Sequence, residues 1–385
     1  MKIVFLGRFE FNRSSGAAGA VIDLGDELTR LGHSVHYITI SDMRRLNPII
    51  TDLLFPFFCA WKIYRWHLDA DVIEATVGVG WLYYLLRRRK TKTLCVTCSH
   101  GMHWPLHERR MDRVRLGKEK IRLRYWLYHG SIQLLQEAYS VKKSDLGLFF
   151  NDQERRKAIQ EYKLSEETAH LVRNGVKKSL MEASNLSSRD RQKRNALIQI
   201  GSYEERKGVE TTTQAVTKLL REREGITISF IGTARPIERT LQDYDEDLWP
   251  RIEIIPYYRN DNLAHILNKC DISLMPSTYE AFGIAPLEAM ACGVVPVVTQ
   301  ISGPATYMQD GENGLTIPVD DPDALRKAIE RLIDDDAIYK RCQDGGLKTV
   351  ASYDWSDIAR ERILLYKKHI GLKSGLLPKR SEKSN

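Results

Sequence analysis

The chain has 385 residues, 43% hydrophobic and 28% charged, with a formal net charge of +8; these are ordinary proportions for a globular protein, and the length predicts two domains. No run approaches the roughly 20 apolar residues that span a bilayer, since LLFPFFCAW (53–61) is short and holds a proline, and MKIVFLGRFE meets Arg8 and Glu10 too early for a secretory signal. A cytoplasmic location is expected, and the charge is uneven: residues 1–150 hold 23 Lys and Arg against 14 Asp and Glu, the remainder 35 against 36.

From the N-terminus, KIVFLG, SVHYITI, DVIEA, TLCVTC and LGLFF are short apolar, β-branched or aromatic runs separated by helix-like stretches. That alternation predicts a parallel sheet covered by helices. Between the first two runs, RFEFNRSSGAAGAVIDLGDELTRLGHSV (8–35) leads into a helix whose apolar positions Val21, Leu24, Leu28 and Leu31 follow helical spacing. Gly16 and Gly19 allow close backbone approach to a ligand at its start. The loop is neither GxGxxG nor a P-loop, so it supports no dinucleotide or ATP-motor reading. Next, residues 43–66 mix basic and large apolar side chains, and residues 108–126 are densely basic and amphipathic. Either suits an anionic membrane surface, an anionic ligand or a solvated face. CSHGMHW (98–104) puts His100 at a strand's end. CVTC (95–98) lies within a strand-like run without a second pair, and the six scattered cysteines read as buried thiols.

After RNGVKKSL and a polar linker (182–194), the pattern restarts with ALIQIG, ITISFIG, RIEII, DISLM, VVPVVT and GLTIP. The fold class is therefore α/β, two doubly wound parallel-sheet domains, at residues 1–180 and 195–354, with a last helix over 355–372 joining the first. In that helix Ile358, Ile363, Leu364 and Leu365 are the candidate buried positions. IGSYEERKGVETTTQAV (200–216) sets Arg206 and Lys207 before Gly208 and a helix, suited to a diphosphate. DYDEDLW (243–249) reads as a solvated acidic segment rather than a metal-binding cluster. In YEAFGIAPLEAMACG (279–293), Glu280 falls in the loop after a buried strand. Pro286 is the expected first helical residue, Glu288 lies in the first turn, and Gly293 follows the helix end. The loop's N–H groups and the helix dipole favour an anion.

Together these residues resemble the retaining glycosyltransferases of family 4, which have the GT-B fold of two facing Rossmann-like domains. Glu280 and Glu288 match that family's EX7E pattern within YEAFGIAPLEAMACGVVPVV. The glycine loop, HG at His100, RNGV (173–176), RKG (206–208) and DGENGLTIPVDDPDAL (310–325) match as well. The resemblance implies a hexosyltransferase that moves sugar from a nucleotide diphosphate sugar to a saccharide or lipid-linked acceptor, in polysaccharide or glycolipid synthesis. It implies that Glu288 holds the ribose, Lys207 the diphosphate, and the backbone of Phe282, Gly283 and Ile284 the sugar and phosphate. Glu280 and His100 would contact the transferred sugar, and Gly16 the phosphates. No metal or other cofactor is required, and no nucleic-acid partner is implied.

Three positions depart from the family pattern. Ser15-Gly16 replaces Gly-Gly, Ser202 stands where many members carry the diphosphate arginine, with Arg206 as candidate substitute, and Thr306 replaces a glutamate. An epimerase of the same fold and a non-catalytic basic membrane-binding protein are the competing readings. The basic and apolar content of residues 43–126 predicts a membrane-associated acceptor, with Arg109, Arg110, Arg113, Arg115, Lys118 and Lys120 as docking cations.

Overall fold

The structure, a computed structural model, describes residues 1–9, 16–43, 47–87, 91–117, 119–185 and 194–375. The chain divides into two compact units, residues 1–12, 17–173 and 356–385 in one and 13–16 and 174–355 in the other.

In the first unit β1 (Lys2–Gly7), β2 (Ser34–Thr39), β3 (Val72–Thr76), β4 (Leu94–Cys98), β5 (Leu146–Phe149) and β6 (Ala169–Leu171) form one sheet in the order β2-β1-β3-β4-β5-β6. Every pairing in it is parallel. The central strands are apolar almost without interruption because helices cover both faces. β6 has no counterpart among the predicted strands: it is three residues long and only its first is buried. Pairing with β5, not a sequence pattern, makes it a strand.

The second unit repeats the architecture with β7 (Ala196–Ile200), β8 (Thr227–Ile231), β9 (Ile252–Ile255), β10 (Ile272–Met275), β11 (Val295–Thr299) and β12 (Leu315–Ile317). Their order is β12-β11-β10-β7-β8-β9, again parallel throughout. In each sheet the winding reverses once, between β1 and β3 in the first and between β7 and β10 in the second. Loops leaving such a strand pair at its carboxyl end diverge and open a crevice, which is where open α/β sheets take ligands.

The helix Lys178–Asn185 straddles the end of the predicted first domain, yet it belongs to the second unit. Leu180 is buried there, and its carbonyl accepts a bond from the Cys292 thiol at 3.9 Å. The final helix, Trp355–Lys373, packs on the first sheet with Ile358, Arg362, Ile363, Tyr366 and His369 buried, whereas Leu364 is 67% exposed. Arg362, Tyr366 and His369, at i, i+4 and i+7, share the inward face and turn Leu364 away from it. All six cysteines are buried thiols without disulfides. Among the described residues no helix is long and apolar enough to cross a membrane.

Large apolar side chains are exposed very unevenly. Nineteen of the twenty-three that stand out among the described residues lie between Ile49 and Tyr139. The helix Pro48–Trp66 shows why: Phe55, Cys59 and Ile63 face the core while Leu53, Leu54, Phe57, Trp61 and Tyr64 face outward. An apolar helix is ordinarily buried on all sides; this one is covered on one.

Candidate functional site

The strongest cluster lies where β7 and β10 part. After β7 the chain turns through Gly201 and the short 3-10 turn Glu205–Lys207, then through Gly208 in the left-handed region at φ 70°. A Cβ on Gly208 would sit 1.9 Å from the Pro276 carbonyl, so only glycine lets this loop meet the one after β10. The Thr278 N–H donates to the Arg206 carbonyl at 2.9 Å and stitches the loops together.

Glu280 is the product of that junction. Its carboxylate accepts from Lys207 Nζ at 2.7 Å, Ser277 Oγ at 3.0 Å and Arg206 at 3.3 Å, all on Oε1. Oε2 takes part in no hydrogen bond among the described residues. Burial pushes this carboxyl upward, but the charges of Lys207 and Arg206, with the bonds from Lys207 and Ser277, outweigh it and hold the group below the usual carboxylate range. Arg206 is shared: it also donates to Glu204 at 2.9 Å and to the Tyr279 carbonyl at 3.3 Å. Burial opposes its charge, yet Glu280 and Glu204 raise its pKa. Ser202 donates to the same Glu204 at 2.7 Å. Two cations and two carboxylates thus compensate one another here.

Beyond Glu280 the chain reaches Gly283, at φ 81°, whose carbonyl accepts from the Tyr307 hydroxyl. Phe282 is buried, with Tyr307 at 5.4 Å and Tyr353 at 6.2 Å between ring centroids. The helix that follows is Ile284–Ala291, with no side chain capping its N-terminus. It begins two residues before the predicted start. Gly283 supplies the turn, and Pro286 fits at the third position because that N–H would have no helical partner in any residue. Glu288 is therefore the fifth helical residue, not in the first turn. Its charge acts on its neighbours: with burial the larger cause, it helps push the Cys292 thiol up to about 12 and the Tyr258 hydroxyl higher still. Gly303 braces the loop from behind, since a Cβ there would lie 2.4 Å from the Glu280 carbonyl. Thr306 bonds the Gly303 carbonyl at 2.7 Å.

His100 belongs to the first unit, just past β4, with Phe150 at 5.3 Å and Phe9 at 6.4 Å between ring centroids. Burial, with Arg362 aiding and Glu74 opposing, lowers its pKa to about 4, so the ring is neutral near pH 7. Glu74, Cys98 and His100 hold potential ligand atoms within 4.8 Å of one another. The Glu74 carboxylate, however, already takes Arg362 at 2.9 Å on both oxygens and the Tyr366 hydroxyl. A guanidinium in that position opposes a cation. Gly16 opens the helix Gly16–Arg30 and Gly19 is buried within it; Ser15 lies outside the described residues. The acidic 243–249 segment pairs with Arg235 and Arg221 at the surface. Sequence reading did not single out Ser277, although it stands three residues before Glu280. Nor did it find Glu74, Arg362 and Tyr366, for which sequence carries no local signal.

The family model described as glycosyl transferases group 1 matches residues 182–349, which contain the whole of the β7/β10 cluster. Over that stretch, which is under half of its length, the chain is similar to the group 1 glycosyltransferases. The chain is 27% identical to the phosphatidyl-myo-inositol mannosyltransferase of Mycobacterium tuberculosis over 404 aligned positions, 95% of this chain and 96% of that one. It is 28% identical to the uncharacterized glycosyltransferase MJ1607 of Methanocaldococcus jannaschii over 178 residues, 44% of each. Against that relative and the glycogen synthases, it spans under half of the relative's length. Among solved structures, Anabaena Alr3699/HepE in complex with UDP and glucose matches with TM-score 0.70 at 16% identity, over 96% of this chain and 100% of that one. The fold is GT-B.

Proposed function

We propose that this protein transfers a hexose, with retention of anomeric configuration, from a nucleotide diphosphate sugar to a hydroxyl of a saccharide or lipid-linked acceptor. The carrying observation is the convergence of Lys207, Arg206 and Ser277 on one oxygen of Glu280 at the reversal point of the second sheet. A carboxylate with one oxygen anchored and the other unbonded is suited to accept hydrogen bonds from sugar hydroxyls. Lys207 and Arg206 then turn from Glu280 toward the diphosphate, beside the uncapped N-terminus of the helix Ile284–Ala291.

These groups stabilise the leaving diphosphate by fixed charges and dipoles. The acceptor hydroxyl attacks on the face the diphosphate leaves, and the leaving phosphate takes its proton. Glu288 holds the ribose, the backbone of Phe282, Gly283 and Ile284 the sugar and phosphate, Gly16 the phosphates, and neutral His100 the sugar. The reaction as proposed needs no metal ion, and Arg206 takes the place of the arginine missing at Ser202.

The acceptor reading rests on the outward apolar face of the helix Pro48–Trp66 with the basic segment that follows, which suit peripheral docking on an anionic cytoplasmic membrane face. Arg110 and Arg113 share Glu119, and Arg115 pairs with Asp112. The Arg115–Asp112 pair is exposed and weak and leaves Arg115 able to meet lipid headgroups, whereas Glu119 is half-buried between its two arginines. Lys118 lies outside the described residues.

Thermal-shift screening of UDP-, GDP- and ADP-sugars tests the donor half. A bound donor at 100 times its Kd stabilises by about 2.7 kcal/mol, and Glu288→Ala should abolish that shift. No stabilisation by any nucleotide sugar would overturn the reading. Co-sedimentation with anionic vesicles at low salt, lost at high salt, tests the membrane half.

A further inference from the structure

Two histidines from distant parts of the chain meet at the edge of the first sheet. His170 is the middle residue of β6, the edge strand, and His369 lies on the last helix, 199 residues later. Their Nε2 atoms stand 3.1 Å apart, with ring centroids at 5.1 Å and ring planes at 77°. The Glu167 carbonyl oxygen, in the 3-10 turn Glu166–Thr168 just before β6, lies 2.9 Å from the same His170 nitrogen. His369 is buried, whereas His170 is half-buried and stands on the solvent side of the cluster.

A neutral imidazole has one N–H and one lone pair. The carbonyl oxygen only accepts, so it calls for the proton on His170 Nε2, and His369 Nε2 is then left to share that proton. With the proton on His369 Nε2 instead, a lone pair of His170 faces the carbonyl. In either tautomer three electron-rich atoms meet around one proton. Charging a ring does not relieve them: burial, the largest cause, and the charge of Lys368 lower the pKa of both rings, that of His369 to about 4, so both are neutral at pH 7. A divalent ion in the gap would answer all three atoms at once. Two nitrogens bound to one zinc ion at tetrahedral angles are about 3.3 Å apart, close to the separation already in place. Glu74 has its place for a cation taken by a guanidinium, but here, among the described residues, neither ring is hydrogen-bonded to lysine or arginine. Lys368 is exposed, and Arg155 Nε is committed to the Ala169 carbonyl at 2.8 Å.

We propose that His170 and His369 bind a nitrogen-preferring divalent metal ion, zinc or a neighbour such as copper(II) or nickel(II), with the Glu167 carbonyl and water completing the coordination. The ion is structural: it fastens a three-residue edge strand, paired on one side to β5, to the last helix. The site is independent of the transferase reading and of the donor cluster in the second unit.

The test is calorimetric titration of the full chain, freed of metal with EDTA, with zinc chloride and with magnesium chloride. Wild type should bind zinc at this site and not magnesium, which prefers oxygen ligands. His170→Gln, at a half-buried edge position where folding is least at risk, should weaken the tightest zinc site by about tenfold or more, since even an outer partner of a metal ligand is worth about 10–100-fold. His369→Gln should do the same. Zinc should raise the thermal midpoint of wild type and not that of His170→Gln. Pulsed electron paramagnetic resonance of wild type with one equivalent of copper(II) should count two imidazole rings on the metal, and it needs no variant. The proposal is overturned if wild type and His170→Gln take up zinc with the same affinity, or if the copper spectrum of wild type reports a single ring.

Discussion

Glu74 within one parallel sheet and Glu280 just beyond a strand of the other are each held by arginine, yet their surroundings differ. Glu74 lies within β3 and is sealed by Arg362 from the last helix, both side chains 3% exposed. Glu280 lies in a loop beyond its strand, with side chains 11% exposed for the glutamate, 17% for Lys207 and 31% for Arg206. The same pairing is a fixed joint where water is excluded, and an exchangeable one where a ligand can compete for the cations. Exposure, not the kind of interaction, separates the sealed carboxylate from the one proposed to meet a ligand.

The largest effect should come from breaking the sealed pair. Arg362→Met leaves an uncompensated buried charge and should destabilise the protein by about 3–5 kcal/mol in urea melts, whereas adding Glu74→Leu should recover most of the loss. A fully additive double variant would mean that the two residues are not coupled. Removing residues 355–385 deletes Arg362 and Tyr366 together and should destabilise the first unit likewise.

On the exchangeable side, Lys207→Ala should weaken UDP binding by about 1.5–3 kcal/mol while uridine binding scarcely changes, as read by titration calorimetry. Equal loss for nucleoside and diphosphate would remove the diphosphate role. Stability should change much less than in Arg362→Met, and that contrast is the sharpest check of the comparison.

Acid acts on the histidine next to the sealed pair. Unfolded His100 takes up a proton near pH 6.5, whereas the folded ring does so only at about 4. Its contribution is therefore complete above 6.5 and is lost as the pH falls toward 4. Wild type should lose about 1–2 kcal/mol more than His100→Asn between pH 7 and 5. The measurement must be this difference, because His103 and His369 shift the same way and buried Glu137, raised to about 7, works in the opposite direction in both proteins. The smallest effect belongs to Arg206→Ala, about 1 kcal/mol or less in UDP binding, because the side chain is partly exposed and shared with Glu204. No change at all would leave the arginine missing at Ser202 without a substitute.

Much of the second unit's candidate site was legible because its signals are local. A buried apolar run ending in Pro-Ser marks β10 and its loop, and two cations before Gly208 mark the turn after β7. Helix boundaries were less legible. Pro286 suggested a start that Gly283, by adopting a left-handed conformation, moved two residues earlier. In the last helix, burial was assigned to Leu364 on hydrophobicity, but the inward face belongs to Arg362, Tyr366 and His369, because a buried carboxylate waits there. β6 carries too few apolar residues to declare itself.

By itself, then, the sequence determined the alternation of strands and helices, the restart that makes two sheets, and the loop that carries Glu280. These follow from periodic burial and from glycine and proline geometry within a few residues. Tertiary structure alone decided that Arg362 answers Glu74 across 288 residues, that Lys207 and Arg206 share one oxygen of Glu280 across 73 and 74, and that Arg8 meets Tyr128 across 120. The position of a charge is written locally, but whether it is neutralised depends on which distant strand ends the sheet order brings together.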